Sequence, residues 1–220
     1  MRQFPETILP NILRSMHLEI LNKEQHDLLP FIKKYSKNYY LAGGTAIALH
    51  LGHRVSFDFD LFTESKVNLV SLKKQVLDSG FTSTVIVQKT DQIHFTINSV
   101  KFTFFQFPFS IEATQYHQKY FRIPELLTLA AMKAFALGGR GKWKDYVDLY
   151  FMLKMHFTIT EISNKAKELF TDAFNPILFI KQLCYYEDIS FEEQIEFMPG
   201  FDVPEQVVKD FLTDTALAGF

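Results

Sequence analysis

A single cysteine, Cys184, in 220 residues leaves no partner for an internal disulfide. Long apolar runs are missing as well: nothing approaches the roughly 20 residues that a membrane-spanning helix requires. The opening residues, Met1-Arg-Gln-Phe-Pro-Glu6, lack the apolar stretch and small-residue cleavage site of a secretory signal. A cytoplasmic protein without membrane contact is therefore expected. Charge of one sign is not in excess either, since 23 Lys and Arg stand against 25 Asp and Glu, a net of -2. That balance excludes binding to nucleic acid by bulk attraction. No lysine follows a glycine loop at P-loop spacing and no Gly-x-Ser-x-Gly elbow occurs, which removes Walker-type ATPases and α/β-hydrolases. His50 and His53 share a helical spacing, but no further acid or histidine completes a zinc set. Repeats and low-complexity tracts are absent.

What is present is a large apolar fraction, 47%, with 24 phenylalanines dispersed through both alternating and helical patterns. Such a chain can bury a substantial core. The most informative stretch runs from Tyr39 to Phe62. Tyr39 to Ala42 reads as a short strand, Gly43-Gly44 as a tight turn, and Thr45 to Leu51 as a two-turn helix closed by Gly52. A helix that starts at a glycine turn offers free N–H groups and its positive dipole end, and the missing Cβ atoms let a phosphate come close. Beyond it, Val55, Phe57, Phe59 and Leu61 alternate with Ser56, Asp58 and Asp60, the pattern of a half-buried strand. Same-face positions on a strand lie roughly 7 Å apart, so Asp58 and Asp60 can share a hard cation. Mg²⁺ is commonly held by one or two carboxylates together with substrate phosphates.

Elsewhere, Asn22 to Tyr35 is expected to be a helix capped by Asn22 and kinked at Pro30, and Val67 to Ser79 a helix ended by Gly80. Phe81 to Val87 and His94 to Phe107 are rich in β-branched and aromatic residues and read as strands. From Pro124, placed at a first helical position, the pattern turns helical. One helix ends at Gly138-Gly139, another begins near Trp143, Thr158 and Glu161 form a capping box, and Asp172 to Tyr186 and Pro204 to Leu217 add two more. The expected class is α+β: a small mixed sheet flanked by helices over residues 1–122, and a helical half packed on it over 123–220.

A second cluster lies in that half. Lys133 stands near the end of one helix, and Asp145 and Asp148 share a face at the start of the next. On physics alone this is a capped helical hairpin in which Lys133 could be a surface residue and Lys144 could pair with Asp148 at i,i+4. Arg140, Lys142 and Lys144 form a local basic patch. Lys33, Lys34 and Lys37 form another, read as a solvated helix end.

Gly-Gly-Thr-Ala followed by Gly-His-Arg-x-Ser-x-Asp-x-Asp-Leu-Phe resembles the signature of polymerase-beta-type nucleotidyltransferases, and specifically their AbiEii/AbiGii toxin branch. The arrangement of Lys133, Arg140 and Lys144-Asp-x-x-Asp-Leu-Tyr150 resembles that branch's second motif, and the similarity extends over most of the chain from about Leu21. The resemblance implies a nucleotidyltransferase that moves an NMP from an NTP onto an acceptor, with the 3′ end of a tRNA, reached through a local basic patch, as the expected acceptor. Mg²⁺ or Mn²⁺ on Asp58 and Asp60 would serve as cofactor. It further implies nucleotide contacts at Gly43, Gly44, Thr45, Arg54, Ser56 and Lys133, catalytic roles for Asp58, Asp60 and Lys133 and for Asp145 or Asp148, and a cognate antitoxin. One departure stands out. Thr103 occupies the strand position where many nucleotidyltransferases carry a third carboxylate. That leaves a site completed by Asp145 or Asp148, or a nucleotide-binding interaction protein with impaired catalysis. Transfer of AMP to protein is a further alternative.

Overall fold

Alternating side chains build the centre of the molecule. In the computed structural model, which describes residues 16–117, 120–139, 141–187 and 189–218, three strands carry the alternation most clearly: β2 (Asp58–Thr63), β4 (Gln92–Ile97) and β5 (Val100–Gln106). Phe59, Leu61, Ile93, Phe95, Phe102 and Phe104 point to one face and are buried. Helix α1 (Lys23–Lys33) covers that face, with Phe31 edge-on to Phe102 and Tyr35, just beyond the helix, edge-on to Phe104. Asn22 closes a full capping box with Gln25, and Pro30 lies inside the helix.

The remaining strands are β1 (Tyr40–Ala42), β3 (Ser83–Gln88), β6 (Gln115–His117) and β7 (Phe121–Ile123). They complete a seven-stranded mixed sheet in the order β3-β4-β5-β2-β1-β7-β6. Strand β2 runs antiparallel to β1 and parallel to β5, and β1 runs parallel to β7. The fold is α+β, as expected.

Several boundaries differ from the expected ones, each for a local reason. The single strand expected over His94 to Phe107 is two, folded back at Asn98-Ser99, where both residues have positive φ; a two-residue hairpin demands this, and Asn-Ser is a weaker signal for it than Asn-Gly. The alternation that suggested a strand from Val55 holds only from Asp58. Before that point Ser56 is buried and Phe57 is 48% exposed, because the chain here pairs with the C-terminal segment: Arg54 lies opposite Phe197, the Val55 N–H donates to the Glu196 carbonyl and the Met198 N–H to the His53 carbonyl. The short strands β6 and β7 were not anticipated at all.

Helix α2 (Gly43–Leu51) includes both glycines in its first turn and ends at Gly52 in the left-handed region. Helix α3 spans Leu69–Leu77. Helix α4 (Leu126–Leu137) takes Glu125 as its N-cap, so Pro124 precedes the helix instead of opening it. It is followed by α5 (Trp143–Met155), α6 (Ile159–Phe170), α7 (Pro176–Leu183) and α8 (Glu205–Ala218). Thr158 and Glu161 make the expected capping box. The helix expected from Asp172 to Tyr186 is shorter, since Asn175 caps it afresh before Pro176. Helices α4 and α5 both pack on α2, which brings the helical half to the glycine turn.

Candidate active site

The site forms where β1 passes into α2. Ala42 is in register with Asp60, so the chain enters the helix beside that carboxylate. Gly43 has φ +67°, and a Cβ there would lie 2.2 Å from Asp60 Oδ2; glycine is required on both counts. No side chain caps the N-terminus of α2, so its first N–H groups are not taken up by a cap. Asp58 stands one same-face step before Asp60, and both are half-buried.

Burial raises the Asp58 carboxyl above its ordinary pKa. The Lys101 ammonium, 3.8 Å away, opposes that shift, while the negative charge of Asp60 adds to it. Thr103 lies directly beside Asp60 on β5, and His94 is next in the same row on β4. Among the described residues, no group of three or more His, Cys, Asp or Glu side chains is arranged to hold a metal. Asp145 and Asp148 therefore do not complete the Asp58–Asp60 pair as a three-carboxylate set. Two carboxylates still fit Mg²⁺, which takes its other ligands from phosphates and water.

Beneath the glycine turn, Thr45 and Ser56 are buried and joined through their hydroxyls at 2.8 Å. Thr45 Oγ1 also donates to the Asp58 carbonyl. These bonds fasten α2 to the start of β2.

The second motif packs behind that turn. Arg54 donates from Nε and Nη2 to the two oxygens of Asp148, at 2.7 and 3.0 Å, and from Nη1 to the Val55 carbonyl at 3.0 Å. His53 Nε2 donates to Asp148 Oδ1 at 2.8 Å. Lys133 Nζ lies 2.7 Å from Asp145 Oδ1 and 3.0 Å from Asp148 Oδ2. Among the described residues, two cations and two anions thus cancel in a space where all four are buried. Lys133 is only 5% exposed, which overturns its reading as a surface lysine.

Burial alone would raise Asp148, but Arg54 and Lys133 outweigh it and hold the carboxyl well below the usual range. Burial likewise opposes the charge on Lys133, yet Asp145 and then Asp148 keep its pKa above the ordinary value. For His53 burial prevails over its bond to Asp148 and lowers the ring's pKa below the ordinary value. The cluster reaches the glycine turn directly, because a Cβ on Gly44 would lie 2.5 Å from Arg54 Nη2.

The basic patch is partly neutralised. Lys142 and Lys144 both bond to Glu193, so Lys144 does not form the expected pair with Asp148. Burial would raise the Glu193 carboxyl, but those two bonds bring it down to about 2. Arg140 lies outside the described residues. Lys33, Lys34 and Lys37 are exposed, as expected of a solvated helix end. His50 bonds to the Pro124 carbonyl at 3.0 Å, a packing role. Sequence reasoning missed Glu193 and Lys101, which no spacing rule connects to Asp58. It noted His53 as a helical-spacing partner of His50 and as part of the Gly-His-Arg motif, not as a partner of Asp148.

The family model described as nucleotidyl transferase AbiEii toxin, Type IV TA system, matches residues 32–212. The chain belongs to the AbiEii nucleotidyltransferase toxin family. The match takes in both the Gly43-to-Asp60 segment and the Lys133-to-Asp148 cluster of this AbiEii chain. The protein aq_aa25 of Aquifex aeolicus (strain VF5) is 30% identical over 196 residues, 86% of this chain and 94% of that one. Among solved structures, MenT4, a nucleotidyltransferase toxin from Mycobacterium tuberculosis, superposes with a TM-score of 0.55 at 13% identity, covering 89% of this chain and 82% of its own. JHP933 from Helicobacter pylori gives 0.51 at 16% identity, with 93% of each chain covered. At those identities the likeness is one of fold. As an AbiEii-family member the protein is a nucleotidyltransferase, an enzyme that transfers phosphorus-containing groups. Among its described residues no helix is long and apolar enough to cross a membrane.

Proposed function

We propose that the protein transfers a nucleoside monophosphate from an NTP to the 3′ end of an acceptor RNA, a tRNA, with Mg²⁺ or Mn²⁺ held by Asp58 and Asp60. One observation carries this reading: Asp60 lies against Gly43 at the uncapped N-terminus of α2, with Asp58 one same-face step away. The N–H groups of the first turn bind phosphate oxygens, while the missing Cβ atoms of Gly43 and Gly44 make room for the Asp60 carboxylate and the Arg54 guanidinium that flank the turn. A divalent cation bound there supplies neutralisation of phosphate charge during in-line displacement. Thr45 and Ser56 keep α2 and β2 in place. Arg54 and Asp148 brace the turn from behind. Lys133 donates to Asp145 and pairs with Asp148 at 3.0 Å, and a remaining N–H serves the nucleotide.

The acceptor approaches from the Asp58 side. There Lys101 lies close to Asp58, Lys144 acts on its charge, and Lys142 shares Glu193 with Lys144. Trp143 stacks on the exposed ring of Phe191 at 5.3 Å. Cations beside an aromatic stack suit a single-stranded RNA end. The family's toxin character points to a cognate antitoxin as protein partner.

Incubation of the purified chain with each α-labelled NTP, Mg²⁺ and total RNA tests the proposal. RNase-sensitive, protease-resistant label that disappears in Asp58→Ala and Asp60→Ala is the expected result. Protease-sensitive label would shift the acceptor to protein, and label that survives both substitutions would refute the site. The register of Thr103 beside Asp60 favours one second reading, saturable NTP binding without turnover. Any metal-dependent turnover on a defined acceptor removes it.

A further inference from the structure

An apolar cavity of about 350 Å³ opens beside the glycine turn. Gly43 and Lys133 border it, and Phe62, Phe105, Phe107 and Phe135 form much of its wall. Phe62 meets Phe105 edge-on at 5.1 Å and is tilted against Phe107 at 5.6 Å, while Phe107 meets Phe135 edge-on at 6.4 Å. Phe62, Phe105 and Phe135 stay only partly buried, although they belong to the sheet and to α4.

The sheet sets the position of this cavity relative to the carboxylates. Asp58, Asp60 and Phe62 are successive same-face positions on β2, and Phe62 is in register with Phe105. The face therefore passes from acidic to aromatic within one strand step, roughly 7 Å. Gly43 belongs to both parts, since it touches Asp60 and borders the cavity.

We infer that this cavity receives the nucleobase of the NTP, held by stacking and shape against Phe62, Phe105, Phe107 and Phe135 while the triphosphate stays at Gly43, Asp58 and Asp60. The inference rests on the nucleotide-binding reading of that site. Size and polarity separate the two halves of the ligand. The volume lies at the low end for small-molecule pockets, enough for part of a nucleotide. A triphosphate cannot leave water for a lining in which, among the described residues, the one cation is already compensated by Asp145 and Asp148. A flat base can, because burying its faces against aromatic rings is favourable and requires no charged partner. Lys133 then stands at the junction, where base and phosphates meet.

Isothermal titration of the full chain in Mg²⁺, with NTPs on one side and inorganic tripolyphosphate on the other, tests this. An NTP that binds about tenfold or more tighter than tripolyphosphate is the expected result, since stacking of one base is worth roughly 5- to 150-fold. Ala136→Phe places a ring in the cavity from α4 and should erase that advantage while tripolyphosphate affinity stays unchanged. Tripolyphosphate binding as tightly as any NTP, or an NTP advantage intact in a folded Ala136→Phe protein, overturns the inference and leaves the phosphate site standing. Binding of neither ligand overturns the nucleotide reading and this inference with it. The wild-type comparison alone decides the matter if Ala136→Phe fails to fold.

Discussion

Asp148→Ala removes the acceptor at the centre of the buried cluster. The side chain takes hydrogen bonds from His53 at 2.8 Å and Arg54 at 2.7 and 3.0 Å, and lies 3.0 Å from the Lys133 ammonium. Without it, among the described residues, two buried cations face Asp145 alone, and a net positive charge is left in a buried space. Breaking a buried pair from one side costs about 3–5 kcal/mol. Against a total stability of about 5–15 kcal/mol for a typical protein this is a large share. It should lower the melting temperature by roughly 6–20 °C in a chain of this length. Urea unfolding followed by circular dichroism measures it, with the midpoint shifted and the slope unchanged. Asp148→Asn keeps the shape but not the charge and should lose nearly as much.

The pH dependence follows from the sign of the shift. Asp148 is held well below the usual carboxylate range in the fold, so its contribution is complete above the unfolded value of about 3.9 and is lost as pH falls toward the folded one. The gap between wild type and Asp148→Ala should be constant from pH 7 to about 5 and close in acid. A cost within about 0.5 kcal/mol at pH 7, the range of an ordinary surface substitution, would refute the reasoning. Full stability in Asp148→Asn would show that packing, not charge, holds the cluster.

Lys133→Ala strips the same cluster of its second cation and should cost about 3 kcal/mol or more with no nucleotide present, measured by the same urea titration. A loss confined to the nucleotide-bound state would contradict the burial of Lys133. Gly44→Val forces a branched side chain toward an Arg54 guanidinium that Asp148 already holds, so it should destabilise the fold by about 1–3 kcal/mol in thermal unfolding. An unchanged melting temperature would mean that Arg54 gives way freely. Thr158→Ala removes the capping-box oxygen that accepts from the Glu161 N–H, and a loss of about 1 kcal/mol, with the α2–β2 site untouched, is expected from chemical denaturation.

Much of the architecture was legible in the chain because its signals are local. The N-cap at Asn22, the capping box at Thr158 and the glycine stop at Gly52 need only a few neighbouring residues. The alternation around Asp58 and Asp60 marked the half-buried strand that carries the carboxylate pair, and the wording of both motifs marked the family. Hairpin closure at Asn98-Ser99 escaped notice because the turn lacks glycine. The short strands β6 and β7 escaped because three residues are too few to establish a period.

Pairings between distant residues could be settled only by the tertiary fold. Spacing places Asp145 and Asp148 on one helix face, but nothing in it says that Arg54, 94 residues earlier, closes on Asp148 from both nitrogens. Lys144 illustrates the limit: the i,i+4 rule offers it Asp148, whereas the fold turns Asp148 inward and gives Lys144 to Glu193. The second glycine of the turn likewise reads as room for a phosphate until the guanidinium behind it is seen. Local free energies decide where helices and strands begin and end. Which charges share a buried space depends on how those elements close around one another, because an ion pair out of water is stable only when its partners arrive together.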